Sequence, residues 1–392
     1  MKGTGRRVVV TGFGVAAAAG VGRDAFWQGL LSAPPEGDRA IPDWDPTPWL
    51  GPKEARRTDR FAQLAIATAE MALEQAGELT VDPDRRGVIY GAGVGGLHTL
   101  EDQIIVRHEK GEKRVSPFLV PMMMANAAAA SLSMRFGWRG PCQTTVTACA
   151  ASTHAIGDAA RLIAWDVCDA VLTGGSESAI TPTGMAGFGN MTALSPDKRS
   201  MPFDRDRNGF VIAEGAATIV LEEYEAARAR GATILGEVLG AASTADAHHI
   251  TAPSPDGSGA VRAMELAMAD GGVSPSDVRQ INAHGTSTPL NDAAEAEAIT
   301  KVFGSPGPPV TSTKGVTGHA LGAAGALEVA AVLLSIEHRV IPPTAGTVNV
   351  DPDIAIDVVR EARDWEPGPT LSNSFGFGGH NGCVVIGPPP TD

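Results

Sequence analysis

Cys149, in the run VTACAAS, follows a short β-branched stretch and opens a run of small residues. A sulfur at such a junction meets free backbone N–H groups and the positive end of a helix dipole, which favour an anion. A thiol there ionises more easily and becomes a better nucleophile. The alternative is a buried structural cysteine, the commoner fate of a lone thiol. Cys142, Cys168 and Cys383 lack the strand–turn–helix setting and read as structural. His284 lies in NAHGTSTPLND, directly after a strand-like stretch, and His319 lies in STKGVTGHALGAAG. Gly, Thr, Ser and Thr after His284 place it on a polar, backbone-accessible turn, and the glycines around His319 let the chain approach another surface closely, although either histidine taken singly also fits a structural role. Lys314 and Glu328 sit in apolar segments, where isolated charges are too costly, so the two are expected to pair. The run SNSFGFGGHNG, 372–382, reads as a mobile loop able to turn backbone N–H groups inward, or as a tight turn before the last strand.

These residues need a scaffold, and the chain supplies an α/β pattern of β-branched runs alternating with Ala-rich stretches. Strands are predicted at 7–11, 87–90, 143–147, 170–173, 217–221, 280–283 and 382–386, and helices at 59–76, 150–165, 259–270, 292–303 and 323–338. CQTTVT leading through Ala148-Cys149 into a small-residue helix is echoed by VTSTKG leading through Gly318-His319 into LGAAGALEVAAVLL. Neither helix has a strongly charged face, so the echo predicts a duplicated fold with two buried central helices. A division at 1–238 and 239–392 follows, the first half carrying Cys149 and the second both histidines.

The chain has 392 residues, 43% hydrophobic, with a net charge of −14. That charge argues against nucleic acid or an anionic membrane as the main partner. Four cysteines without CxxC spacing fit a reduced, cytoplasmic setting. The basic start (Lys2, Arg6, Arg7) and the following apolar run imitate a signal peptide, but Thr11, Gly12 and Gly14 favour a buried strand. No run approaches the roughly 20 apolar residues of a membrane span. No metal-spaced cluster or dinucleotide fingerprint is present, and His248-His249 reads as pocket structure.

VTACAAS, NAHGTSTPLND, STKGVTGHALGAAGALE and NSFGFGGHN together resemble, in order and spacing, the elongating β-ketoacyl synthases of the thiolase superfamily, KAS II type, over nearly the whole chain. The resemblance implies a thiolase fold, with duplicated βαβαβ halves in a five-layered αβαβα sandwich. It implies Cys149 as the acyl-accepting nucleophile, His284 and His319 acting on a malonyl unit, and Lys314 supporting them with Glu328. Phe377 matches the gate residue whose N–H joins that of Cys149 in an oxyanion hole. Thr251 and Thr286 match positions bonding a phosphopantetheine arm, and Val94 and Phe375 match substrate-pocket positions. No metal or redox cofactor is implied. The implied partners are an acyl carrier protein with its acyl and malonyl thioesters, and a second copy or related subunit as dimer partner. An acidic carrier requires a local basic patch on an acidic enzyme, and Arg56 and Arg57, with Lys113 and Arg114, match docking positions; a solvated charged face is the alternative. Arg60 and Lys198-Arg199 are further basic positions. His380 and Gly315 depart from the common Thr and Ser. Rival readings are a specialised type II polyketide ketosynthase working with a chain-length partner, a non-catalytic chain-length subunit, and a Cys-His hydrolase. Cys149 together with both histidines argues against the last two.

Overall fold

A computed structural model describes residues 5–391. Its frame is two copies of one five-strand pattern. In the first, β1 (Val8–Ala17), β2 (Arg86–Gly91), β3 (Cys142–Thr145), β4 (Ala170–Glu177) and β5 (Gly215–Glu223) lie in the order β3-β2-β4-β5-β1. In the second, β6 (Gly236–Ala245), β7 (Gln280–Asn282), β8 (Pro309–Thr311), β9 (Thr370–Gly376) and β10 (His380–Gly387) lie in the order β8-β7-β9-β10-β6. The directions repeat as well. β2 runs parallel to β3 and β4, and β5 is antiparallel to β4 and β1. β7 likewise runs parallel to β8 and β9, and β10 is antiparallel to β9 and β6. The halves join where Val9 and Val10 of β1 pair with Glu237 and Gly236 of β6. The 238/239 division therefore falls inside β6.

The buried faces explain the composition. α2 (Ala151–Ala164) packs on β2 and β4 of its own half and on β6 and β10 of the other, while α5 (Ala324–His338) touches β5 and β9 and packs on α2. Helices walled by sheet on both sides need small and aliphatic residues all round, and every residue of α5 from Ala324 to Ile336 is buried. The 18-residue stretch Leu321–His338, of mean hydropathy 1.4, is apolar and long enough to cross a membrane, yet 89% of it is buried inside the protein. α1 (Arg60–Ala76), capped by Asp59, packs on β1 and β5, and α3 (Ser258–Gly271) packs on β6 and β10. α4 (Pro289–Phe303) packs on α3.

The apolar start forms β1, buried along its whole length, and Lys2 lies outside the described residues. The reading of 372–382 as a mobile loop is corrected. Thr370–Gly376 pairs with β7 on one side and β10 on the other, leaving only Phe377-Gly378-Gly379 as a turn. The ladder on both flanks satisfies the backbone, which outweighs the conformational freedom of the glycines.

Candidate active site

The turn that carries Cys149 is built twice. A short 3₁₀ turn, Ala148–Ala150, separates β3 from α2, and Leu321–Ala323 occupies the same place before α5. Ala148 and Leu321, each three residues ahead of its helix, have positive φ values of 50° and 45°. Non-glycine residues rarely hold that conformation, and the strain persists only where packing enforces it. The two turns lie against each other. Cys149 thus stands one turn before α2 proper, buried, with its Sγ 3.0 Å from His319 Nε2.

His319 is fixed by its backbone, which gives an N–H to Val211 O at 2.7 Å and receives one from Ala213 at 3.0 Å. Its ring meets Phe210 edge-on at 5.2 Å and His284 at 5.3 Å. His284 follows β7, and Glu295 on α4 accepts the N–H groups of His284 and Gly285 at 2.8 and 2.7 Å. Three residues earlier on that helix, Asp292 accepts from Phe203 N and Ser287 N. Lys314, at the end of the segment after β8, donates to His284 O at 2.6 Å, lies 3.4 Å from His284 Nδ1 and pairs with Glu328 of α5. An ammonium beside Nδ1 favours that nitrogen as acceptor and leaves the proton on Nε2.

Electrostatics correct one expectation. Burial pushes the Cys149 thiol up to about 12, against the lowering pull of the Lys314 charge and the Phe377 N–H. The thiol is therefore protonated at rest, since neither the ammonium nor the N–H offsets desolvation. Burial, with the Lys314 charge, holds both His284 and His319 well below the usual imidazole range, so both are neutral. Burial likewise raises Glu328, Glu295 and Glu177 to about 7.

A cavity of about 590 Å³ opens onto this cluster and is lined by Cys149, His284, His319, Thr251, Thr286, Phe375 and Phe377. Phe375 places its ring 5.9 Å from that of His284. Gly376 has no room for a side chain, since a Cβ would stand 2.8 Å from Thr147 O and 3.1 Å from Cys149 N. This close approach brings the Phe377 N–H onto the sulfur. Thr286 Oγ1 is 2.8 Å from Thr288 Oγ1, and Thr251 N donates to His249 Nδ1 at 3.1 Å, so His249 organises the mouth turn. Val94 does not line the cavity. Its side chain is 45% exposed, and its N–H points to Glu177.

Arg56, Arg57, Lys113 and Arg114 are exposed and outside the cavity lining. Arg57 lies 4.5 Å over the ring of Phe118, which joins the two basic segments on one surface. Arg60 is tied to Glu214 at 2.6 Å and Lys198 to Asp38 at 3.0 Å. Two buried acids were missed in the sequence. Glu177 accepts from Gly93 N at 2.7 Å and Gly322 N at 3.2 Å, locking one elbow turn to the loop after β2, and Glu295 anchors His284. The available signal was an acid in an otherwise small, apolar segment, in GGSES and in DAAEAEA.

Replacing Glu328 with Ala leaves the Lys314 ammonium buried and unpaired, an expected loss of roughly 3–5 kcal/mol. Urea unfolding followed by circular dichroism should show the drop, and an unchanged midpoint would contradict the pairing.

A thiol, two neutral imidazoles and inward N–H groups in a duplicated α/β frame define an acyl-transferring enzyme of the condensing type. The chain belongs to the β-ketoacyl synthase family: the family's N-terminal domain matches residues 39–227 and its C-terminal domain residues 235–348. It is 44% identical to 3-oxoacyl-[acyl-carrier-protein] synthase 2 of Synechocystis sp., over 96% of each chain. Among solved structures it is similar to a β-ketoacyl synthase from Burkholderia phymatum, with TM-score 0.91 and 33% identity, covering 98% of this chain and 100% of that one. It is also similar to the type II polyketide ketosynthase AntDE, solved with its acyl-carrier protein AntF and bound to the hexaketide, with TM-score 0.88 and 31% identity, covering 98% and 99%. The fold is accordingly the thiolase fold of these synthases.

Proposed function

We propose that this chain extends acyl chains by decarboxylative Claisen condensation, with Cys149 as the nucleophile. The observation that carries the reading is the convergence of Cys149, His284 and His319, one donor atom from each lying within 4.8 Å of the others, at the end of a cavity. Cys149 sulfur attacks the acyl thioester of a carrier protein. The N–H groups of Cys149 and Phe377 receive the developing oxyanion, a contribution of roughly 3–4 kcal/mol. The carrier thiol leaves with the proton that His319 Nε2 takes from Cys149. A malonyl thioester then enters, and Nε2–H of His284 donates to its carbonyl oxygen, with His319 donating beside it in the tautomer that carries its proton on Nε2. The carbon–carbon bond to the carboxylate breaks, CO₂ leaves, and the electron pair forms an enolate. That carbon attacks the acyl group, the new carbon–carbon bond forms, and the sulfur departs and regains a proton. Lys314, held by Glu328, keeps His284 in the donating tautomer. Thr251 and Thr286 line the path of the phosphopantetheine arm, which belongs to the substrates, so no separate cofactor enters the bond changes. Val94 stands outside the acyl pocket of the single chain.

The working form is a cytoplasmic dimer with a second copy or a related subunit; exposed Val146 and Met134 beside the edge strand β3 support this. The 44% identity to a synthase 2 enzyme favours fatty-acid elongation over a specialised polyketide role. Mixing the protein with acyl- and malonyl-carrier proteins and weighing the products tests the reading; a β-ketoacyl carrier longer by two carbons is expected, and carrier hydrolysis alone would overturn it.

The basic surface joined by Arg57 and Phe118 receives the carrier. Charge reversal at Arg56 and Arg57, or at Lys113 and Arg114, should raise KM for carrier-bound substrate on the order of tenfold while sparing acyl-pantetheine analogues. At about 0.15 M salt the Debye length is near 8 Å, so the wild-type preference should shrink with added salt. Equal salt responses in wild type and variants would reduce these residues to a solvated face.

A further inference from the structure

The donor set at the centre of the site has a second chemical meaning. A thiolate and two imidazoles are the ligands that Zn²⁺ and similar borderline-soft cations select. Around a tetrahedral ion with bonds of about 2.0–2.3 Å, ligand atoms stand roughly 3.3–3.6 Å apart. Here one donor atom from each of Cys149, His284 and His319 lies within 4.8 Å of the others, the closest pair being Sγ and His319 Nε2 at 3.0 Å. Rotation of the side chains must close the remaining difference. The three residues come from separate elements, and the side left open faces the cavity, as in metal sites with three protein ligands and one exchangeable position.

We propose that Cys149, His284 and His319 form a reversible site for a thiophilic divalent cation, Zn²⁺ above all, whose binding blocks the nucleophile. The Cys149 S–H bond breaks, the sulfur lone pair forms the sulfur–metal bond, and the proton leaves to bulk water. Each imidazole supplies one ring-nitrogen lone pair, and water or a pantetheine thiol takes the fourth position. His284 Nε2 loses its proton to bulk water while Nδ1 takes one from the Lys314 ammonium, so a second proton is released and Lys314 becomes an amine that accepts from Nδ1–H. The Glu328 carboxylate beside Lys314 and the Glu177 carboxylate acting on Cys149 then offset the charge of the ion.

The outer contacts set the strength. Resident metal sites back each histidine with a carboxylate or carbonyl on its other nitrogen, and losing such a partner costs roughly 10–100-fold in affinity. Here His284 Nδ1 faces the Lys314 ammonium at 3.4 Å, and His319 Nδ1 has no hydrogen-bond partner among the described residues. The site is therefore built for occupancy that comes and goes with metal supply, not for a permanent ion. The proposal names a regulator of the same residues as the catalytic reading, and the geometry alone carries it.

The test uses the full, metal-free chain without any acyl substrate. Titration with Co²⁺ should give a near-ultraviolet thiolate-to-metal charge-transfer band saturating at one equivalent, and Zn²⁺ should displace it. Zn²⁺ at ten times its Kd should slow iodoacetamide alkylation of Cys149 by about tenfold through mass action. C149A should lose the band, and H284A and H319A should each weaken binding. A wild-type chain with no saturable band, or with alkylation untouched by Zn²⁺, overturns the proposal whatever the variants do. A chain that condenses normally but binds no Co²⁺ refutes the metal site alone, and one that binds Co²⁺ but never condenses refutes the catalytic reading alone.

Discussion

Cys149→Ala should abolish acyl loading and lower condensation by roughly four orders of magnitude or more, the scale seen when a covalent nucleophile is removed. The side chain is buried, its sulfur is the nearest partner of His319 Nε2, and the Phe377 N–H is directed at it. The other three cysteines offer no substitute. Cys168 and Cys383 are buried in apolar clusters away from the cavity, and Cys142 begins the edge strand β3. Alanine fits the elbow, whose neighbours are already Ala148 and Ala150, so the melting temperature should hold while activity falls. Radiolabelled acyl-carrier protein followed by protein precipitation reads the loading step. Label retained by the variant at the wild-type level would remove Cys149 from the mechanism.

The two histidines should separate by step. His284→Ala should lower CO₂ release from malonyl carrier by roughly 10²–10³, the cost of one lost donor to a developing oxyanion, and leave acylation of Cys149 nearly intact. His319→Ala should slow both steps. Its Nε2 is the closest acceptor for a thiol that burial has raised to about 12, so loading loses general-base help worth roughly 10²–10⁴. Because both imidazoles are held neutral by burial and the Lys314 charge, their donor capacity should not titrate in the usual histidine range. Rapid-quench measurement of acyl-enzyme beside ¹⁴CO₂ capture distinguishes the steps. Equal losses in both steps for His284→Ala would contradict the division.

Much of this site is legible in the chain, and the reasons are physical. The five predicted helices correspond to α1–α5; α2 and α5 stand out because a helix walled by sheet needs small and aliphatic residues all round, and such runs are rare by chance. The echo between the two segments reflects two similar turns, each with a positive φ, at Ala148 and Leu321, but the second turn falls at Leu321–Ala323 and not at Gly318-His319, because a short helix, Lys314–Thr317, intervenes. Other parts were hidden. Gly236–Ala245 lacks the alternation and β-branching of a strand; its extended state comes from pairing with β1 and β10. The glycines of 376–379 drew attention away from Thr370–Gly376, which antiparallel pairing with β10 holds along its whole length and parallel pairing with β7 supports over Thr370–Ser372. Glu177 acts through the backbone N–H groups of Gly93 and Gly322, far along the chain, and Glu295 through those of His284 and Gly285; an acid in a small, apolar segment signals burial but not these partners. The raised thiol was equally invisible, since position at a helix start is local whereas burial by Phe210, Leu321 and Ala179 is not.

A single-turnover experiment tests the central claim most directly. The enzyme is incubated with acyl-carrier protein alone, its intact mass and Cys149 peptide are weighed, and malonyl-carrier protein is then added. One acyl group on Cys149, followed by its discharge as a β-ketoacyl carrier with one CO₂ per group lost, is the predicted result. An unmodified Cys149, or an acyl group that leaves as free acid without a carbon–carbon bond, would contradict it.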